Sequence, residues 1–561
     1  MQRKKRSWWQ KLKTKVNSKA AQKPGGKQGQ GEAGIGGELL QDDLGEIPPE
    51  IKLSSSLQKN LDTLKQLLGE SGDLNFREFK VGRNPGVGAA VFWLDGMADK
   101  KMIGDNVVKA LAIGAEELIP PTGKVKPFFE ELKERYLSVG DIKEVATLAE
   151  AVYAGLSGDT VFMLEGYPEA IIASTRGWAA RGPEEPASEV VVKGPREGFT
   201  ETIRMNTSLI RRRLKNPNLR IESAKIGRQS QTDIALIYIV GIVNEKVLDE
   251  VRQRLDRINT DLILESSYLE EMIEDAPFSI FPTVTSSERP DAVVGGILEG
   301  RVAIVIDGTP FALIMPTVFF QLFQTPEDYY SRYPIATFSR WLRLVGLMIT
   351  LLLPATYVAT ITFHPEVLPT SLLITISAAR EGIPFPALVE ALLMELTFEV
   401  LREAGIRMPR PVGQAVSIVG ALILGDAAIA AGIVSPSMVV VVAGTAIASF
   451  LIPTPDVVGS VRLLRFGMMF LAASFGFFGI ALGLIALHIH LVSLRSFGVP
   501  YMWPVAPFNL VGLRDVLLRI PHWGFRFRPE IFTWREEERM EIKGNKPQKS
   551  KKQLLKETRR D

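Results

Sequence analysis

Residues 344–363, LVGLMITLLLPATYVATITF, run for twenty positions without a charge. At 1.5 Å per residue a helix of that length spans about 30 Å, the thickness of a bilayer's hydrocarbon core. Pro354, at its centre, would break a helix in water. It is tolerated in lipid where neighbouring helices satisfy the freed carbonyl. Three more windows share the character: 411–434 with Asp426 alone, 435–455 with no charge, and 466–494 with only His488 and His490. Glycines are dense in these windows (Gly420, Gly432, Gly444, Gly476, Gly483), as expected where helices pack closely in lipid. A single large soluble core does not explain four such windows.

The whole-chain averages hide this division. Over 561 residues the mean hydropathy is +0.11 and the formal net charge +3. With no cysteine, disulfides, thiolate metal sites and thiol catalysis are excluded. The first thirty residues hold ten Lys/Arg and no acid, with Trp8 and Trp9 among them. No apolar core follows, so they do not read as a secretory signal. They read as a basic disordered tail and linker over residues 1–50, in contact with either anionic lipid or solvent. The last nineteen residues are also basic, and Arg332, Arg340 and Arg343 flank the first span. The positive-inside rule places both ends on the cytoplasmic side, which requires an even number of crossings.

Residues 385–401, FPALVEALLMELTFEVL, complicate that count. Glu395, Glu399 and Glu403 fall at i, i+4 and i+8 on one stripe, with Glu390 about 140° away. Charges at such depth are costly and avoid lipid. Read as re-entrant, this unit leaves four spans; read as a fifth crossing, it puts the basic C-terminus outside. The acids Glu390, Glu395, Glu399, Glu403 and Asp426 are the candidates for an ion pathway, because rings of carboxylates repeated around an oligomer attract cations. The competing reading pairs Glu399 with Arg402 and Glu403 with Arg407 on a solvated surface. Pro384, Pro386, Pro409 and Pro411 bracket the helix as candidate hinges.

The front half reads as an α/β fold of two small subdomains, 51–200 and 201–335, ahead of an all-α multi-pass bundle at 336–495. GVGAAVFWLDG (86–96), TVFMLEG (160–166) and YPEAIIAST (167–175) are strands of the first subdomain. In the second, IALIYIVGI (234–242), a helix over 245–258 and DLILES (261–266) form a βαβ-type unit. Residues 292–323 are apolar enough to mimic a span. However, Asp307-Gly308 between two β-rich runs predicts a hairpin at 301–315. Residues 496–561 are an interfacial segment and basic tail. The Gly-rich stretches lack phosphate-loop fingerprints and the front half has no histidine, so no catalytic, metal or cofactor site is expected. Arg211, Arg212 and Arg213 read as a solvated or interdomain face rather than a nucleic-acid site. The spans show no internal symmetry of the transporter kind.

Four blocks carry a family resemblance: residues 184–219, EEPASEVVVKGPREGFTETIRMNTSLIRRRLKNPNL; 286–316, SSERPDAVVGGILEGRVAIVIDGTPFALIMP; 381–450, from EGIPFPALVEALLMELTFEV to VVVVAGTAIASF; and 496–508, SFGVPYMWPVAPF. Together they resemble the A subunit of GerA-type spore germinant receptors over about residues 55–530. The resemblance implies a non-enzymatic subunit in the inner spore membrane with its N-terminal domain in the cytoplasm. It also implies a multi-span B subunit and a lipoprotein C subunit as partners, homo-oligomerisation, and a ligand-gated cation pathway. A signal-transmitting scaffold that conducts nothing, and the related subunit associated with the spore dipicolinate channel, remain alternatives.

Overall fold

The computed structural model describes residues 47, 51–69, 71–82, 86–112, 126–136, 139, 141–177, 185–186, 188–408, 425–533 and 539. Contacts divide the chain into two units. The first holds the front half up to Pro277, Val284–Pro316 and the C-terminal residues from His522; the second holds Phe278–Thr283 and Thr317–Pro521. The long segment of the second unit starts at Thr317, ahead of the bundle expected from residue 336.

In the first unit, helix α1 (Leu57–Leu68) precedes the hairpin β1 (Leu74–Val81) and β2 (Val87–Leu94). Two helical stretches, 100–112 and 126–136, lead to β3 (Ile142–Val145). Helix α2 (Leu148–Leu156), β4 (Thr160–Leu164) and β5 (Ala170–Ala173) follow. Leu61, Leu64, Leu68, Leu148 and Val152 cover one face of the sheet, and Ile103, Val107, Leu111 and Phe129 the other. Burial on both faces explains why β4 and β5 are unbroken apolar runs rather than alternating ones.

The second sheet repeats this plan. Helix α3 (Ile203–Arg213) precedes β6 (Leu219–Ile226) and β7 (Thr232–Ile239). Helices α4 (Glu245–Arg257) and α5 (Ser266–Ile273) lead to β8 (Thr285–Ser287). Helix α6 (Pro290–Leu298), β9 (Val302–Ile306) and β10 (Ala312–Met315) complete it. The strand orders are β1-β2-β4-β5-β3 and β6-β7-β9-β10-β8, one pattern used twice. Small details match too. Asn60 accepts from the Ser54 N–H and donates to its carbonyl, and Asn206 does the same to Thr200. Glu165 accepts the first N–H of α1, at Leu57, and Asp307 accepts that of α3, at Ile203. The front half therefore holds the same fold twice in tandem.

Two expectations need correction. Every pairing within the two sheets is antiparallel, so no parallel βαβ unit forms. DLILES is not a strand: residues 261–264 are irregular and Ser266 already begins α5. The partners of β7 are β6 and β9, so β7 has no free edge for such a strand. Its alternating pattern instead leaves Leu262 and Leu264 exposed and Ile263 buried. Across Asp307-Gly308, β9 and β10 pair with Leu313 opposite Ile304, and Gly308 takes the positive φ of 93° that the turn requires.

The subdomains are locked together by a buried ion pair. The Arg211 Nε of α3 donates to Asp73 at 2.7 Å, and its Nη2 donates to Asp73 and to the Ser71 hydroxyl at 3.1 and 2.9 Å. Burial alone would raise the Asp73 carboxyl; the guanidinium and the hydroxyl outweigh it and hold the group below its ordinary range. The Ser71 hydroxyl also accepts from the Ile221 N–H of β6.

The second unit is helical: α7 (Tyr333–Phe363), α8 (Thr370–Arg380), α9 (Ala387–Arg407), α10 (Pro436–Ser449), α11 (Pro455–Ser493) and α12 (Leu510–Val516). Among the described residues, α7 and α11 are long and apolar enough to cross a membrane. Helix α10 has 14 residues, about 21 Å, short of the crossing expected for 435–455. It starts where Ser435 caps it and stops at Phe450, ahead of Pro453. Of 411–434, residues 411–424 lie outside the described residues, and 425–430 are helical.

Helix α11 is not one straight rod. Gly476 has φ 59° and ψ −141°, a conformation open essentially to glycine. A Cβ on Gly483 would stand 2.6 Å from the Met468 sulfur, and one on Gly479 would stand 2.1 Å from the Leu471 carbonyl oxygen. Residues 468 and 483 would lie about 22 Å apart on a straight helix. The chain therefore reverses at Gly476 into two antiparallel legs, 455–475 and 477–493. The single crossing expected over 466–494 is a helical hairpin, and the small glycines allow its legs to touch.

Candidate functional site: an acidic helix met by arginines

Helix α9 begins after the break at residues 381–386, which contains both Pro384 and Pro386; Pro386 is its N-cap. Pro409 and Pro411 lie outside the described residues. The helix carries four of the candidate acids, and they meet three different fates.

Glu390 is fully buried and caps α10. Its Oε1 accepts from the Ser435 N–H at 2.7 Å and from the Ser435 hydroxyl. The Ser435 hydroxyl in turn accepts from the Met438 N–H. A carboxylate there also meets the positive end of the α10 dipole. Its second oxygen stands 3.5 Å from an Arg380 Nη. Ser437 and the Tyr357 hydroxyl, 2.7 Å apart, extend this polar chain to α7.

Glu395 and Glu399, one turn apart, meet the first leg of α11. The Arg465 Nη2 lies 2.9 Å from Glu395 and 3.1 Å from Glu399, and the Arg462 Nη1 lies 2.7 Å from Glu399. Arg465 and Glu395 are both almost wholly buried, with side chains 1% and 0% exposed. Two negative charges thus face two positive ones. The expected i+3 pairing of Glu399 with Arg402 gives way to this arrangement, while Arg402 lies over the Phe450 ring at 5.7 Å. Arg465 approaches from the facing leg of α11 and is buried, while Arg462 and Glu399 keep part of their surface exposed.

Glu403 pairs with Arg407 at 2.7 Å on an exposed surface, the i+4 contact that spacing predicts. Asp426 is exposed within the helical residues 425–430. The stripe is therefore split: Glu395 and Glu399 act together, and Glu390, Glu403 and Asp426 stand apart.

Sequence reading omitted Arg380, Ser435, Arg462 and Arg465. A signal for the last two was present: they sit at i and i+3 just ahead of the apolar window starting at Phe466, where hydropathy treats a charge as a boundary. Charges inside an apolar helical unit are rare and come paired, so two arginines and two glutamates on facing helices were candidates for each other.

The fold and site define a chain of two kinds of structure: an antiparallel α/β plan used twice, and a helical unit with two helices long and apolar enough to cross a membrane and an ion-paired cluster between α9 and α11. Residues 62–531 match the family model described as Bacillus/Clostridium GerA spore germination protein, and the chain belongs to that family. It is 49% identical over 480 residues to spore germination protein KA of Bacillus subtilis (strain 168), covering 86% of this chain and 87% of the relative. It is 39% identical over 486 residues to spore germination protein GerLA of Bacillus cereus, covering 87% and 97%. The N-terminal domain of the A subunit of the Bacillus megaterium spore germinant receptor GerK3 aligns at 32% identity with a TM-score of 0.38. That alignment covers 48% of this chain and 97% of the other. Both of these relatives are named as spore germination proteins.

Proposed function

We propose that the chain is the A-type membrane subunit of a nutrient germinant receptor. In this reading it is a multi-pass protein of the inner spore membrane with its front half in the cytoplasm. It assembles with a multi-span B subunit, a lipoprotein C subunit and further copies of itself to form a ligand-gated cation pathway. The observation that carries the reading is the cluster joining α9 to α11, in which Glu395 and Arg465 are buried and Glu399 and Arg462 are partly exposed. Parting Glu395 from Arg465 without another partner or water would leave a buried charge uncompensated, so the separated state needs hydration or a counter-ion. Paired, it presents no net charge. Parted by movement about Pro384 and Pro386, it leaves Glu395 and Glu399 free to attract cations.

Reconstitution of the assembled receptor in liposomes tests this. Cation flux on germinant addition should lose its selectivity over anions in the Glu395→Gln/Glu399→Gln variant. Unchanged selectivity removes these acids from the pathway. The pairing itself favours a second reading, in which α9 and α11 form a mechanical link that passes the signal to separate effectors. That scaffold gives no flux in any variant.

A further inference from the structure

The C-terminal helix α12 is built inside out. Asn509 caps it by accepting from the N–H groups of Val511 and Gly512. Its inner side is polar or tightly packed: Asp515 accepts from the Tyr329 hydroxyl at 2.9 Å and from Arg340 at 3.1 Å, and Gly512 leaves no room beside the Trp503 ring. The outer side carries Leu510, Val511 and Arg514, at i, i+1 and i+4 on one helical face, and Leu517 and Leu518, just past the helix end, are exposed as well. Leu510 is 68% exposed, Val511 54% and Leu518 49%, and Phe508 just before them is 67% exposed. A soluble surface helix turns such a stripe inward; this one turns it outward.

The helix is also fixed in position along α7. The Trp341 indole N–H donates to the Leu517 carbonyl at 2.8 Å, the Arg519 N–H donates to the Thr337 hydroxyl at 3.1 Å, and Arg340 reaches Asp515. Its apolar face therefore continues the exposed Phe338, Trp341 and Leu342 of α7. Tryptophan and arginine at this level are the side chains that sit among lipid headgroups.

We propose that Phe508 to Leu518 forms an in-plane anchor. It lies in the bilayer leaflet where α7 begins, with its leucines among the upper acyl chains and Arg514 reaching up to lipid phosphate. The inference rests on the reading of α7 as a membrane span. The anchor fixes the depth of α7 and places the Arg340–Asp515 pair at the membrane surface.

The absence of cysteine makes the test direct. Single variants Val511→Cys, Leu518→Cys, Ile349→Cys and Tyr153→Cys of the full chain are labelled with nitrobenzoxadiazole. They are placed in nanodiscs of phosphatidylcholine and phosphatidylglycerol carrying nitroxides near the head or near the tail of the acyl chain. Labels at 511 and 518 should be quenched several-fold more by the shallow nitroxide than by the deep one. The label at 349 should show the reverse and that at 153 neither. Quenching at 349 without quenching at 511 and 518 overturns the anchor, whether water or a second copy covers that face; energy transfer between labels on two copies would identify the latter. Loss of quenching at 349 as well overturns the membrane reading itself.

Discussion

Arg465 and Glu395 face each other at 2.9 Å with almost no exposed surface, one on the first leg of α11 and the other on α9. Removing one partner strands the other charge, at a cost of about 3–5 kcal/mol, whereas replacing both by apolar groups of similar volume is often neutral. Glu395→Ala and Arg465→Met should each lower the denaturation midpoint of the purified chain in detergent. The joint Glu395→Leu/Arg465→Met variant should restore it while abolishing the germination response. A joint variant as unstable as the singles would show that the pair is not coupled.

Asp73 and Arg211 set an acid limit on the front half. The Asp73 carboxyl is held below its ordinary value in the folded chain. Its contribution is therefore present above the unfolded value near about 4 and lost as pH falls through the lower folded one. Thermal melts should show stability flat from neutral pH down to about 4 and falling below it. Asp73→Asn should flatten the acid limb while costing about 3–5 kcal/mol at neutral pH, because Arg211 is left buried.

Gly476 and Gly432 both adopt positive φ, at 59° and 64°, but only Gly476 lacks space. A Cβ there stands 2.7 Å from the His364 ring and 3.1 Å from the Phe363 Cβ, against 3.6 Å to a carbonyl oxygen at Gly432. Gly476→Ala should destabilise the helical unit by more than the roughly 1–3 kcal/mol of backbone strain alone. Gly432→Ala should show the strain alone. Equal midpoints for the two would contradict the hairpin.

Asn60 and Asn206 make the same two backbone bonds in the two copies of the fold. Each Asn→Ala change leaves a half-buried N–H and carbonyl without this partner and should cost about 1 kcal/mol. Hydrogen exchange should report the loss at α1 for Asn60→Ala and at α3 for Asn206→Ala. Protection lost in both subdomains from either change would instead mark the front half as one cooperative block.

What was legible in the sequence was local. Residues 344–363 announce a long apolar helix by their lack of charge, and Asp307-Gly308 announces a turn because few other pairs favour positive φ. The repeat was also visible, in Gly158…Glu165-Gly166-Tyr167-Pro168-Glu169-Ala170 and Gly300…Asp307-Gly308-Thr309-Pro310-Phe311-Ala312. Strand direction was not legible, since an apolar run reads alike in parallel and antiparallel neighbours. Nor was the reversal at Gly476: glycines are frequent throughout the apolar windows, and only the φ of this one distinguishes it. The partners of Glu395 and Glu399 lie more than sixty residues away, beyond any helical spacing rule.

The central claim is that parting Glu395 and Glu399 from Arg462 and Arg465 opens a cation pathway. The most direct measurement is cation flux through the assembled receptor in liposomes, without germinant, for the native chain and for Arg465→Gln. Germinant-independent flux from the Arg465→Gln variant, selective for cations and losing that selectivity when Glu395→Gln/Glu399→Gln is added, is the predicted result. A variant that is correctly assembled and as silent as the native receptor would contradict it.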